Sequence, residues 1–147
     1  MKKALFAGSF DPFTRGHQSI VDRTLAIADE VVVAIGRNAN KHTMLTLEQR
    51  IEAIEQLYAD EPRVKVMSYD GLTTDFAASV GATCLVRGVR NIADFEFEKN
   101  IADVNRKLTG IETVLLVTES EYSHICSSIV RELMSYGRDV SDFMPQK

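Results

Sequence analysis

Hydrophobic positions along the chain follow two rhythms that alternate. Val31 to Ile35 (VVVAI) is an unbroken, mostly β-branched run, the pattern of a parallel strand buried on both faces. Ala4 to Ala7, Val64 to Met67, Thr83 to Val86 and Thr113 to Val117 (TVLLV) are further strand candidates. Between these runs the apolar residues recur at helical spacing. His17 to Ala28 sets Ile20, Val21, Leu25 and Ala28 on one stripe. Thr46 to Tyr58 opens with Thr46 and Gln49 at capping-box spacing and carries Leu47, Ile51, Ile54 and Leu57 along one side. Leu72 to Val80, Ile92 to Leu108 and Ser127 to Tyr136 complete the helices. Gly81, Gly110 and Gly137 follow them, where a left-handed residue commonly ends a helix.

Five successive β-then-α units imply an α/β fold: a five-stranded parallel sheet with helices on both faces. The 147 residues fit a single domain spanning 1–147. No internal repeat, low-complexity tract or linker interrupts it. The tail from Arg138 to Lys147 has no clear period, and Pro145 argues against a long terminal helix.

Composition narrows the function classes. A formal net charge of −4 argues against a general nucleic-acid or membrane-surface binder, so anion binding must come from a local cluster of cations. Cys84 and Cys126 lie far apart and in no CxxC pattern, which disfavours zinc and leaves reduced cytosolic thiols as the plain expectation. The apolar stretch before Asp11 is too short for a signal peptide or a membrane span.

Ligands of such sheets bind beyond the carboxyl ends of the strands, and the unusual residues fall there. Gly8 to His17 (GSFDPFTRGH) leads from a strand into a helix whose first N–H groups and partial positive charge suit phosphate. It is neither GxGxxG nor a P-loop. Taken alone, His17 reads more readily as a solvent-facing residue of a tight loop; the surrounding pattern turns the reading toward a phosphate ligand. Arg37 and Lys41 follow the second strand, and either could reach a phosphate or be solvated. Arg87 and Arg90 flank Gly88 at the end of the fourth strand and could form a planar phosphate clamp. Ser127 and Ser128, at a helix start, could cap it or accompany N–H groups that bind a nucleotide. No nucleophile with an attached base stands out.

The segment Gly8 to His17 resembles the signature of the [HT]xGH nucleotidyltransferases, with Thr14, Arg15, Gly16 and His17 as the TxGH form. RGVR…DFEFE, from Arg87 to Glu98, and EYSHICSS, from Glu121 to Ser128, are similar to segments of the phosphopantetheine adenylyltransferases. The resemblance runs over nearly the whole chain. It departs at Cys126, where a serine is usual.

That resemblance implies a Rossmann-like nucleotidyltransferase fold and transfer of AMP from ATP to 4′-phosphopantetheine. His17, Lys41 and Arg90 are then the catalytic residues. Ser9, Phe10, His17, Gly88, Val89, Arg90 and Glu98 contact ATP, together with Tyr122, Ser123, His124, Ile125, Cys126, Ser127 and Ser128. Ser9, Lys41, Thr73 and Arg87 hold the acceptor; a helix N-cap is the other reading of Thr73. His42 is expected on the surface. Mg²⁺ is the expected cofactor, riding on ATP oxygens, because no carboxylate cage is evident. The resemblance also implies a cytoplasmic homohexamer with coenzyme A as a feedback ligand. Transfer to nicotinate mononucleotide, CMP transfer to glycerol phosphate, an ATP-binding regulatory module and a scaffold are the alternatives.

Overall fold

A computed structural model describes residues 1–38 and 40–147. The strands are β1 (Lys3–Gly8), β2 (Glu30–Gly36), β3 (Val64–Tyr69), β4 (Cys84–Val89) and β5 (Glu112–Val117). The helices are α1 (Arg15–Thr24), α2 (Leu47–Leu57), α3 (Thr73–Ser79), α4 (Ile92–Thr109) and α5 (Ser127–Ser135). All strand pairs are parallel, in the order β3-β2-β1-β4-β5.

Alternation along β1 divides the core between the two faces of the sheet. Ala4 and Phe6 join Val31, Val33 and Ile35 on the face covered by α1 and α2, where Ile20, Val21 and Ile54 are buried. Leu5 and Ala7 join Val32 and Ala34 on the opposite face, under Ala77 of α3. The unbroken apolar run of β2 is thereby explained: both of its faces are covered.

The sheet and its two covered faces are as the pattern predicts. Thr46 and Gln49 form the predicted capping box, with Gln49 N–H donating to Thr46 Oγ1 (3.1 Å) and Thr46 N–H to Gln49 Oε1 (2.9 Å). Three boundaries differ instructively. α1 starts at Arg15, ahead of the predicted His17, because Thr14 is its cap. It also ends at Thr24, ahead of the predicted Ala28, where Ala26 and Ile27 N–H groups turn to Arg23 and Thr24 carbonyls three residues back. β4 extends past the predicted Val86 to Val89, because Arg87, Gly88 and Val89 keep pairing with Leu115, Leu116 and Val117 of β5. Arg87 therefore projects from the strand itself. The tail carries only a single 3₁₀ turn, Ser141–Phe143. No helix among the described residues is long and apolar enough to cross a membrane.

Ile54 is fully buried on α2, facing the sheet. Its truncation in Ile54→Ala should destabilise the fold by about 2–5 kcal/mol. The half-exposed Ile27→Ala should stay within about 0.5 kcal/mol. Urea unfolding of the two variants checks the contrast.

Candidate active site

β1 pairs with β2 on one side and β4 on the other, so the connections that leave β1 and β4 diverge and open a crevice at the carboxyl edge of the sheet. A cavity of about 330 Å³ fills that crevice. Its wall combines the β1–α1 turn, the loop after β2, the end of β4, α4 and the start of α5.

The β1–α1 turn is shaped by sterics. Phe10 has φ of 50° and its ring is buried against Gly8. Such a backbone is unusual for a residue with a side chain and persists only when its surroundings enforce it. A Cβ on Gly8 would meet that ring at 3.1 Å, so a side chain there would crowd Phe10. The Phe10 and Phe13 rings flank His17, with centroids 5.0 and 5.3 Å from the imidazole.

His17 is held by the backbone. Thr14 N–H donates to His17 Nδ1 (2.9 Å), and Thr14 Oγ1 accepts from His17 N–H (3.4 Å), a capping box with histidine as its third helical residue. Because Nδ1 accepts, the ring proton belongs on Nε2, the other face of the ring. Burial first, and then the charges of Arg87 and Arg90, push the imidazole from its usual 6.5 down to about 3. His17 is thus a neutral hydrogen-bond donor on the cavity wall, a different state from that of a loop histidine in solvent.

Four cationic side chains, Lys41, Arg87, Arg90 and Arg131, share this wall with three carboxylates, Asp11, Asp94 and Glu98. Lys41 Nζ donates to Ser9 Oγ across the mouth (2.9 Å). Glu98, buried on α4, accepts two bonds from Arg87, both 2.9 Å, and Arg87 Nη1 also donates to the Ala7 carbonyl. Arg90 pairs with Asp94 at 2.9 Å. Asp11 accepts the N–H groups of Met44 (2.9 Å) and Leu45 (2.8 Å). Each carboxylate therefore has its own protein donors, and the described wall offers no cage of free oxygens for a resident metal ion.

The start of α5 completes the wall. Its N-cap, Cys126, makes no side-chain cap. Ser127 Oγ instead donates to the Pro12 carbonyl (2.8 Å), and Ser128 Oγ lies 3.3 Å from Cys126 Sγ. The hydroxyls are not the helix caps that composition alone allowed, so N–H groups of this turn remain available to an anion. Burial works against the Cys126 thiolate, but the Ser128 hydroxyl and the nearby Arg90 charge oppose it, and the thiol is held below its ordinary range.

A second cavity of about 230 Å³ adjoins the first and shares Ala7, Gly8, Arg87 and Glu98 with it. Leu5, Leu85, Ile101 and Ala102 make it more apolar, and Thr113 Oγ1 is buried on its wall without a partner. Thr73 lines it too. Its hydroxyl pairs with Tyr69 Oη (2.7 Å) and does not cap α3, whose N-cap is Leu72.

Residues 5–133 match the family described as cytidylyltransferase-like. A phosphopantetheine adenylyltransferase of Bacteroides thetaiotaomicron is 56% identical over 146 residues, covering 99% of this chain and 97% of the relative. One from Porphyromonas gingivalis is 57% identical over 148 residues, with the same coverage of each chain. The chain belongs to the phosphopantetheine adenylyltransferase family. It is a nucleotidyltransferase. The fold is shared more widely. A bifunctional NMN adenylyltransferase/ADP ribose pyrophosphatase from Francisella tularensis superposes with a TM-score of 0.75 at 15% identity, covering 97% of this chain and 44% of that one.

Of the residues singled out in this adenylyltransferase family member from sequence, Ser9, Phe10, His17, Lys41, Arg87, Gly88, Arg90, Glu98 and Ile125 to Ser128 come together around the first cavity. Tyr122, Ser123 and His124 stand outside its lining, and Val89 is buried at the end of β4. His42 is exposed, as expected, and Arg37 turns away to pair with Asp70 at 2.6 Å. Asp11, Asp94 and Arg131 also belong to the wall. Asp11, beside Pro12 in the first loop, and Asp94, at the start of the DFEFE stretch, carried local hints; Arg131 carried none and reaches the site through its bond to the Asp11 carbonyl (2.8 Å).

The neutral state of His17 is directly measurable. Long-range ¹H–¹⁵N spectra at pH 5.5 should show His17 still neutral and protonated on Nε2. The unfolded chain takes that proton near pH 6.5 while the folded chain waits until about pH 3, so acidification through this window favours unfolding through this group.

Proposed function

We propose that this protein transfers the AMP moiety of ATP to the phosphate of 4′-phosphopantetheine, giving dephospho-coenzyme A and pyrophosphate. The observation that carries the reading is the pair of joined cavities, one cationic and one more apolar, meeting at Arg87. ATP suits the first. The acceptor's phosphate sits at the junction, and its pantetheine arm suits the second, beside Thr73 and the unpartnered Thr113 hydroxyl.

An oxygen of the acceptor phosphate attacks the α-phosphorus in line. The bond from that phosphorus to the bridging oxygen breaks, and pyrophosphate leaves with the electron pair. His17 Nε2–H donates a hydrogen bond to an α-phosphate oxygen and keeps its proton, since a ring this hard to protonate gains nothing by cycling through the cation. Lys41, Arg87 and Arg90 offset the repulsion between the two phosphate-bearing substrates, and Ser9, the Phe10 N–H and the α5 N-terminus contact phosphate. Glu98 orients Arg87. The substrate is MgATP, the ion held by the phosphates, because the wall's carboxylates are already engaged.

The wider proposal is a cytoplasmic enzyme, in keeping with the unbridged Cys84 and Cys126. It assembles as a homohexamer, with exposed Phe97, Val104 and Leu108 of α4 as candidate contact residues. It takes coenzyme A, which carries the product's own skeleton, as a feedback ligand.

Pyrophosphate release from MgATP should require 4′-phosphopantetheine and should not appear with nicotinate mononucleotide or without acceptor; CTP with glycerol phosphate should be silent. Release with another pair would overturn the acceptor. His17→Ala should lower kcat by about 10²–10³ with the KM values for both substrates little changed. Normal turnover in that variant would remove His17 from its role.

A further inference from the structure

Lys41 is an exposed ammonium on a flexible stem, and among the described residues its ammonium donates to Ser9 Oγ. A cation of this kind acts at a defined point only if its backbone is fixed. The loop that bears it leaves β2 at Gly36 and reaches the α2 cap at Thr46. At its start, Arg37 N–H donates to the Tyr69 carbonyl (2.8 Å), which ties it to β3. Toward its end, the Met44 and Leu45 N–H groups both donate to the carboxylate of Asp11.

Asp11 is 2% exposed and forms no ion pair within the described residues. Its two carboxylate oxygens each accept one of those neighbouring N–H groups, so each donor has an oxygen of its own. Asp11 sits in the same turn as Ser9, the contact of the Lys41 ammonium. One short turn therefore holds the tip of Lys41 and anchors the loop just downstream of it.

We propose that Asp11 is a positioning residue for adenylyl transfer, acting through Lys41 by anchoring the Met44–Leu45 segment against the β1–α1 turn. The inference rests on the AMP-transfer reading above. Asparagine is nearly isosteric but offers one acceptor oxygen, and its NH₂ faces the second N–H donor. The Lys41 loop then loses its register on the site. Charge stabilisation falls off with small displacements of this kind, up to about a hundredfold in rate for roughly 1 Å.

The test is a double-mutant cycle in kcat, with MgATP and 4′-phosphopantetheine both saturating. Turnover of the unaltered enzyme is measured first and decides the AMP-transfer reading separately. Asp11→Asn should then lower kcat by about tenfold or more, while ATP affinity by calorimetry stays within about threefold, showing an intact nucleotide pocket. In a Lys41→Ala background, Asp11→Asn should change kcat by less than about twofold, because the residue it positions is already gone. Met44→Pro removes one donor from the other side and leaves Asp11 in place, so it tests the same bond if Asp11→Asn folds poorly. It too should lower kcat in the presence of Lys41 and have little effect in its absence. Losses that multiply independently in the double variants, or normal kcat in Asp11→Asn, would overturn the proposal.

Discussion

The hydrogen bond from the Thr14 N–H to His17 Nδ1 joins three properties that would otherwise be set separately. It satisfies one of the free N–H groups at the start of α1. It fixes the imidazole's orientation among Phe6, Phe10 and Phe13. It also selects the tautomer, leaving Nε2–H as the donor. Without it the proton could move to Nδ1, and Nε2 would become an acceptor on the cavity side. Two guanidinium groups nearby reinforce the choice, because a second cationic state beside Arg87 and Arg90 is penalised. A neutral donor among cations adds a directional bond without adding repulsion to the empty wall.

The same turn organises the segments around it. The Ser9 carbonyl accepts from Arg50 of α2 (2.7 Å), the Asp11 carbonyl from Arg131 of α5, and the Pro12 carbonyl from Ser127. These carbonyls lie outside helix and strand, where they would otherwise lack partners once buried. A polar requirement of the backbone thus becomes the means by which segments distant in sequence are brought to one wall.

The architecture was legible because it rests on local pattern. The β2 run needed two covered faces and received them; Thr46 and Gln49 formed their box; Gly81, Gly110 and Gly137 take positive φ at helix ends. Many of the site residues were legible through motif, since Gly8, Ser9, His17, Lys41, Arg87 and Arg90 lie in loops or strand ends with distinctive sequence. The misses are of a different kind. The Thr14–His17 box escaped because histidine replaces the usual Glu or Gln at that capping position. β4 ran longer than its apolar run because strand pairing continues through Arg87 and Gly88. The small residue there also suits the helix on the other side: a Cβ would lie 3.0 Å from Ile20 Cδ1 and crowd it. Asp11, Arg50 and Arg131 act through partners 34, 41 and 120 residues away in sequence, and no local rhythm reports such distances.

The pairing of arginines with carboxylates explains how a cationic wall can belong to a stable fold. Arg87 and Arg90 unpaired, beside Lys41 and Arg131, would repel one another in a partly desolvated crevice. Glu98 and Asp94 remove most of that repulsion and lock each guanidinium plane. A locked guanidinium still has N–H groups that its carboxylate does not use, so its orientation toward a phosphate is settled before the phosphate arrives. The two pairs are not equivalent. Glu98 is buried and shared between both cavities, whereas Asp94 is more open. Arg87 is consequently the more rigid of the two and stands where the cavities join, the place where the proposed reaction would have to set the acceptor phosphate against the α-phosphorus most tightly.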